Sequence, residues 1–175
     1  MLASLFPSVE TIAAFGKSSG VYGFMNTAWG WPTIESIHFI ALSVLLGTVG
    51  LFDLRALGVA KQIAMPELHR LIPFGVAAYC VNIVTGSMFF MSAPDQYMFN
   101  PGFRLKVACM LIAGVNVVVF YSFFARSVRT TGAFQPASLP VKIVCAISLC
   151  AWLGVIVFGR LITYFRPPYH WCFSC

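Results

Sequence analysis

His38, Lys106 and Arg160 are three nitrogen-bearing side chains set inside otherwise apolar runs of this 175-residue chain. An imidazole with two cations beside it, held away from water, can ligate a haem iron and meet the anionic side groups of the haem. It can equally donate hydrogen bonds to a quinone. The stretch "MFFM" adds two thioethers, Met88 and Met91, at a spacing of three, which places them on one face of a helix. The tail "HWCFSC" supplies His170, Cys172 and Cys175 as an H-x-C-x-x-C run. Thioether, thiolate and imidazole together suit Cu(I). Three tail ligands are one short of a closed tetrahedral zinc site, and two extracytoplasmic cysteines can instead form a disulfide. Asp53 and Arg55 are two residues apart, so on a helix they do not face each other. Each is expected to pair with another element and so to fix one edge of the structure.

The composition says what must position these groups. The chain is 59% hydrophobic and only 9% charged, with a mean hydropathy of +0.86. Soluble domains carry about 25% charged residues, so a water-facing surface cannot be built from this inventory. The apolar residues come in long runs without strand-like alternation, which predicts a helical integral membrane protein of one domain. Four runs are long enough to cross a bilayer: about Glu35 to Leu57, Leu71 to Met91, Pro101 to Phe124 and Val141 to Phe165. Asn100 and Pro101 form a start signal for the third, Pro140 for the fourth, and "RPP" at Arg166 to Pro168 stops it. The N-terminal twenty residues lack a basic region followed by a long apolar one and make a poor signal peptide. A net charge of +6 scattered over helix ends points to lipid headgroups and not to nucleic acid.

The expected architecture is all-α: a four-helix transmembrane bundle, up-down-up-down, over residues 35–165. Residues 1–34 form an interfacial amphipathic and aromatic segment, and residues 166–175 a Cys/His tail. Small and polar residues line one face of each of the last three helices: Gly75, Ala78, Asn82 and Gly86 on the second, Cys109, Ala113 and Asn116 on the third, Cys145, Ser148, Trp152 and Gly159 on the fourth. Such stripes let membrane helices approach, and buried amides are expected to bridge them. Counting about 1.5 Å of rise per residue puts His38, Lys106 and Arg160 in one layer near the end that faces the termini. Met88 and Met91 close the second helix beside them. His69 falls at the opposite face, so it and His38 cannot ligate one iron. The loops bearing Arg55, Lys61, Arg70, Arg126, Arg129 and Lys142 favour the cytoplasmic side, which puts both termini in the periplasm.

The stretches "SIHFIALSVLLGTVGLFDLRALG", "LHRLIPFG", "FNPGFRLKVACMLIAGVN" and "WLGVIVFGRLITY" resemble a family of small bacterial four-helix integral membrane proteins. The shared pattern is a histidine early in helix one (His38), D-L-R-x-L-G (Asp53, Arg55, Gly58), N-P-x-F-x-x-K (Asn100, Pro101, Phe103, Lys106) and G-R-x-I-x-Y (Gly159, Arg160, Ile162, Tyr164). It covers roughly residues 29–165. The resemblance implies the fold class and a bacterial inner membrane, and it supplies no chemistry.

Three functions follow. A b-type haem-binding electron-transfer subunit would use His38 as axial ligand, Lys106 and Arg160 for the propionates, and Met88 or Met91 as a second ligand. A copper-binding protein would use the methionines and the tail. A non-catalytic accessory or anchor subunit would bind a larger membrane complex or a redox partner protein through the aromatic N-terminal segment. No Gly-rich phosphate loop, carboxylate pair or nucleophile-base-acid set is present, so the chain is not expected to be an enzyme by itself.

Overall fold

A computed structural model describes residues 8–165. It is all-α. Two short helices, α1 (Val9–Ser18) and α2 (Val21–Met25), precede the first long one. Four helical segments are long and apolar enough to cross a membrane. They are α3 (Gly30–Leu57), the segment Met65–Ser92, α7 (Pro101–Phe123) and α9 (Leu139–Phe165). A turn at Arg70 and Leu71 divides the second into α4 (Met65–His69) and α5 (Ile72–Ser92). Two connecting helices, α6 (Pro94–Met98) and α8 (Ala125–Arg129), flank α7.

The bundle is turned inside out relative to a soluble one. Phe39, Phe74, Leu111, Val115 and Val118 point outward, while Asp53, Asn82, Thr85, Asn116 and Ser148 are buried. An apolar belt around a polar-seamed interior is stable only where hydrocarbon replaces water, so this is a multi-pass membrane protein. The expected small-residue seams are where helices touch. A Cβ on Gly154 would stand 2.7 Å from Cys109 Sγ, and one on Gly75 would stand 2.5 Å from Thr48 Oγ1. Gly75→Ala is therefore expected to push α5 off α3 and cost about 1–3 kcal/mol of stability, read as a lower unfolding midpoint in detergent.

α3 starts at Gly30, five residues ahead of the expected Glu35. Pro32 lies in its first turn, where a missing N–H costs nothing. Gly30 lets that turn press against the Phe24 carbonyl. Midway, Leu46–Gly50 winds as a π-helical turn. Each extra residue advances a helix face by about 100°. The half of α3 before this turn packs on α5, and the half after it packs on α9. Gly58 ends α3 at φ 109°, with its N–H on the Arg55 carbonyl and that of Val59 on the Leu54 carbonyl. That left-handed residue is the reason a glycine closes D-L-R-x-L-G.

Two side chains tie the ends together. Asn100 caps α7 by accepting from the Phe103 N–H, as its sequence position predicts, and its amide nitrogen also donates to the Ile162 carbonyl at 3.0 Å. Arg55 is fully buried at the other end. Its guanidinium donates to the carbonyls of Ile63, Gly132 (3.1 Å) and Gln135 (3.3 Å). The loop after α3 and the loop before α9 are thus clasped by one cation.

Candidate functional site

His38 enters the bundle two turns into α3, opposite Thr85 of α5. Its Nδ1 lies 2.7 Å from Thr85 Oγ1. The single Thr85 proton is directed to the Val81 carbonyl at 2.8 Å, the usual back-bond of a helical threonine. The hydroxyl oxygen therefore accepts from His38 Nδ1–H. This network fixes the tautomer and leaves the lone pair on Nε2. Phe89 holds the ring edge-on at 5.8 Å. Gly86 of α5 lies beside the ring, and a Cβ there would meet Cε1 at an ordinary contact distance of 3.9 Å.

His38, Lys106 and Arg160 line one cavity of about 340 Å³, with Glu35 at its edge and Phe39, Phe89 and Phe103 in its walls. Residues at three distant sequence positions thus meet at one end of the bundle, at the depth given by counting helical rise. Lys106 lies along α9 over Gly159, its Nζ 3.6 Å from where a Cβ would stand. Arg160 is exposed, with its guanidinium 5.9 Å from the Tyr164 ring. A neighbouring cavity of about 200 Å³ shares His38 and Lys106 and reaches inward to Asn82 and Trp152. Asn82 was expected to bridge helices. Its amide nitrogen instead donates to Ala78 of its own helix, and its Oδ1 has no partner.

The methionines are not part of this arrangement. Neither Met88 nor Met91 lines either cavity, and the Met91 backbone is packed where α1 presents Gly16. His170, Cys172 and Cys175 lie outside the described residues. Among the described residues, no three or more His, Cys, Asp or Glu side chains converge on a metal-sized point. Thr85 is the residue that sequence reasoning missed. It sits three positions after Asn82, on the same small-residue stripe of α5, and that register was the available signal.

A further cavity, of about 240 Å³, lies at the opposite end, between α3, α5, α7 and α9. Asp53 lines it, with Ser148 and Cys145 beside its carboxyl group. His69, half-buried, is at this end, as expected. It is wedged edge-on between Phe52 at 6.3 Å and Tyr121 at 6.0 Å. No family model, curated protein or solved structure matches this chain.

Proposed function

We propose that the chain is a subunit of a bacterial cytoplasmic membrane, with both termini periplasmic, that holds a b-type haem at His38 for electron transfer. The observation that carries this reading is the His38–Thr85 pair. A metal-bound histidine donates its other ring N–H to a fixed acceptor, which sets tautomer and ring orientation. His38 has that acceptor in place at 2.7 Å, and Nε2 is the nitrogen left to ligate.

The surroundings suit the group. The cavity of about 340 Å³ lies at the small end of ligand sites, roughly 300–1,000 Å³, so a haem held at His38 would also need the adjoining space of about 200 Å³ that shares His38 and Lys106. Its aromatic walls are apolar, and Lys106 and Arg160 supply positive charge for two propionates. Bound there, haem would supply one-electron transfer. The residues themselves orient the imidazole (Thr85), exclude water (Phe39, Phe89, Phe103) and offset carboxylate charge (Lys106, Arg160). With both methionines off the cavity, His38 is expected to be the single protein ligand.

The test is an absorption spectrum of the purified protein, oxidised and dithionite-reduced, with metal analysis on the same sample. A Soret band that disappears in His38→Ala supports the reading. A colourless protein whose His38→Ala variant behaves as wild type sinks it, and stoichiometric copper would move the site to the methionines and the Cys/His tail. Thr85→Val removes the acceptor with little change of shape. It is expected to weaken haem binding about 10- to 100-fold, while Thr85→Ser retains it.

An accessory role is the second reading. Phe15, Phe24 and Trp29 are exposed on the segment preceding and opening α3, and aromatic residues so displayed are suited to contact a larger membrane complex or a redox partner. Co-purification of a stable partner lost in a Phe15→Ser/Trp29→Ser variant would favour it.

A further inference from the structure

At the end of the bundle away from His38, Asp53 is only 3% exposed. Its Oδ2 has no hydrogen-bond partner. A carboxyl group at this depth is costly unless something compensates it. Arg55, two residues on, is committed to the loop carbonyls. Among the described residues the ion pair is Arg70–Glu67, which Asp53 does not join. The polar neighbours are a hydroxyl and a thiol, Ser148 and Cys145. Neither carries a positive charge, so an ionised Asp53 would have no counter-charge among these neighbours.

The space in front of this carboxyl is shaped for an organic molecule. The cavity of about 240 Å³ is walled chiefly by apolar side chains, with the rings of Tyr79, Phe120, Tyr121 and Trp152 around it. Hydrated or oxygen-caged cations need six or more oxygens, and this cavity offers three oxygen-bearing side chains besides two tyrosines. An apolar pocket with one fixed charge and several aromatic faces instead matches an amine on a hydrocarbon or aryl body.

There is also a way in. The segments α5 and α7 do not pack closely on each other, in contrast to the pairs α3–α5 and α7–α9. Phe90 and Phe103 stack at 5.5 Å and close the gap at the His38 end. Toward the Asp53 end, the lining residues Val76 and Val117 are 47% and 38% exposed on the outer face of the bundle. The gap therefore faces lipid.

We propose that this cavity is a second binding site, one that takes a small lipophilic amine from the bilayer and pairs its nitrogen with the Asp53 carboxyl group. Its body lies against Tyr79, Phe120 and Trp152, and the gap between α5 and α7 is its entrance. The site is separate from the cavity at His38 and does not depend on haem.

The test uses the full chain in lipid nanodiscs and radiolabelled 4-phenylbutylamine, with empty nanodiscs as background. Saturable binding is expected, with 4-phenylbutanol at least tenfold weaker and 4-phenylbutyrate not bound. Asp53→Asn should weaken amine binding about tenfold or more, since it replaces a charge-assisted bond by a neutral one. Val117→Trp, which fills the entrance from a lipid-facing position and leaves the carboxyl untouched, should do the same. If Asp53→Asn does not fold, Val117→Trp decides. No binding above empty nanodiscs overturns the proposal. So does full retention in either folded variant, or equal binding of amine and alcohol. A dimer that seals the gap and shows no amine binding also overturns it.

Discussion

Arg55→Ala is expected to destabilise the protein by about 3–5 kcal/mol, the largest effect of any single truncation outside the cavities. Arg55 is 1% exposed, and its donors hold carbonyls from two loops that are far apart in sequence: Ile63 after α3, and Gly132 and Gln135 before α9. A hydrogen bond to a charged group contributes about 1.5–3 kcal/mol, so three of them would exceed the expected loss. The excess is recovered because loop carbonyls near the membrane edge can rehydrate. Arg55→Lys is not a conservative rescue. An ammonium on a flexible stem cannot reach three carbonyls that a planar fork spans at once, so less than half the loss should return. The measurement is denaturant or thermal unfolding in detergent by circular dichroism. A lysine variant as stable as wild type would show that charge, and not the fork, is what the loops need.

Most of the frame was legible because a bilayer imposes a simple rule: apolar length decides where the chain crosses. Two of the four crossings, α7 and α9, begin within two residues of where hydropathy and the caps place them, and within the second the long helix α5 starts at Ile72, one residue from the expected Leu71. The first, α3, begins five residues ahead of the expected Glu35, because Gly30 and Pro32 in the aromatic stretch "WGWP" each favour a helix start. The convergence of His38, Lys106 and Arg160 was legible for the same reason, since depth follows from counting rise. What the sequence did not disclose is rotation about each helix axis. The π-helical turn at Leu46–Gly50 changes the packed face of α3, and no local signal announces it. Without it, Asp53 could not be placed on the α9 side beside Ser148 and Cys145. Rotation also decides the methionines: neither Met88 nor Met91 lines the cavity. Depth alone could not have separated them from Thr85, whose hydroxyl reaches His38.

Trp152→Ala should cost about 3 kcal/mol and alter both cavities together. Trp152 is 5% exposed and lines the cavity next to His38 as well as the one at Asp53. It stands edge-on to Tyr79 at 5.6 Å, so this pair forms the partition between the two ends. In water the loss would combine a transfer term with a cavity term and approach about 5 kcal/mol. In a bilayer the unfolded reference is also in hydrocarbon, so the transfer term largely drops out. The cavity term remains, about 24 cal/mol per Å³ of space left, which sets the lower figure. Trp152→Phe separates the ring from its N–H. The indole Nε1 has no partner, and an unsatisfied buried donor costs about 1–3 kcal/mol, so the smaller ring should fall within about 1 kcal/mol of wild type despite its lost volume. Unfolding midpoints of the two variants test this directly. A phenylalanine variant as unstable as the alanine one would mean that the lost ring volume, and not the unpaired Nε1, sets the stability of this partition. Amine binding at Asp53 and the spectrum at His38, measured on the same two proteins, would show whether each cavity depends on that partition.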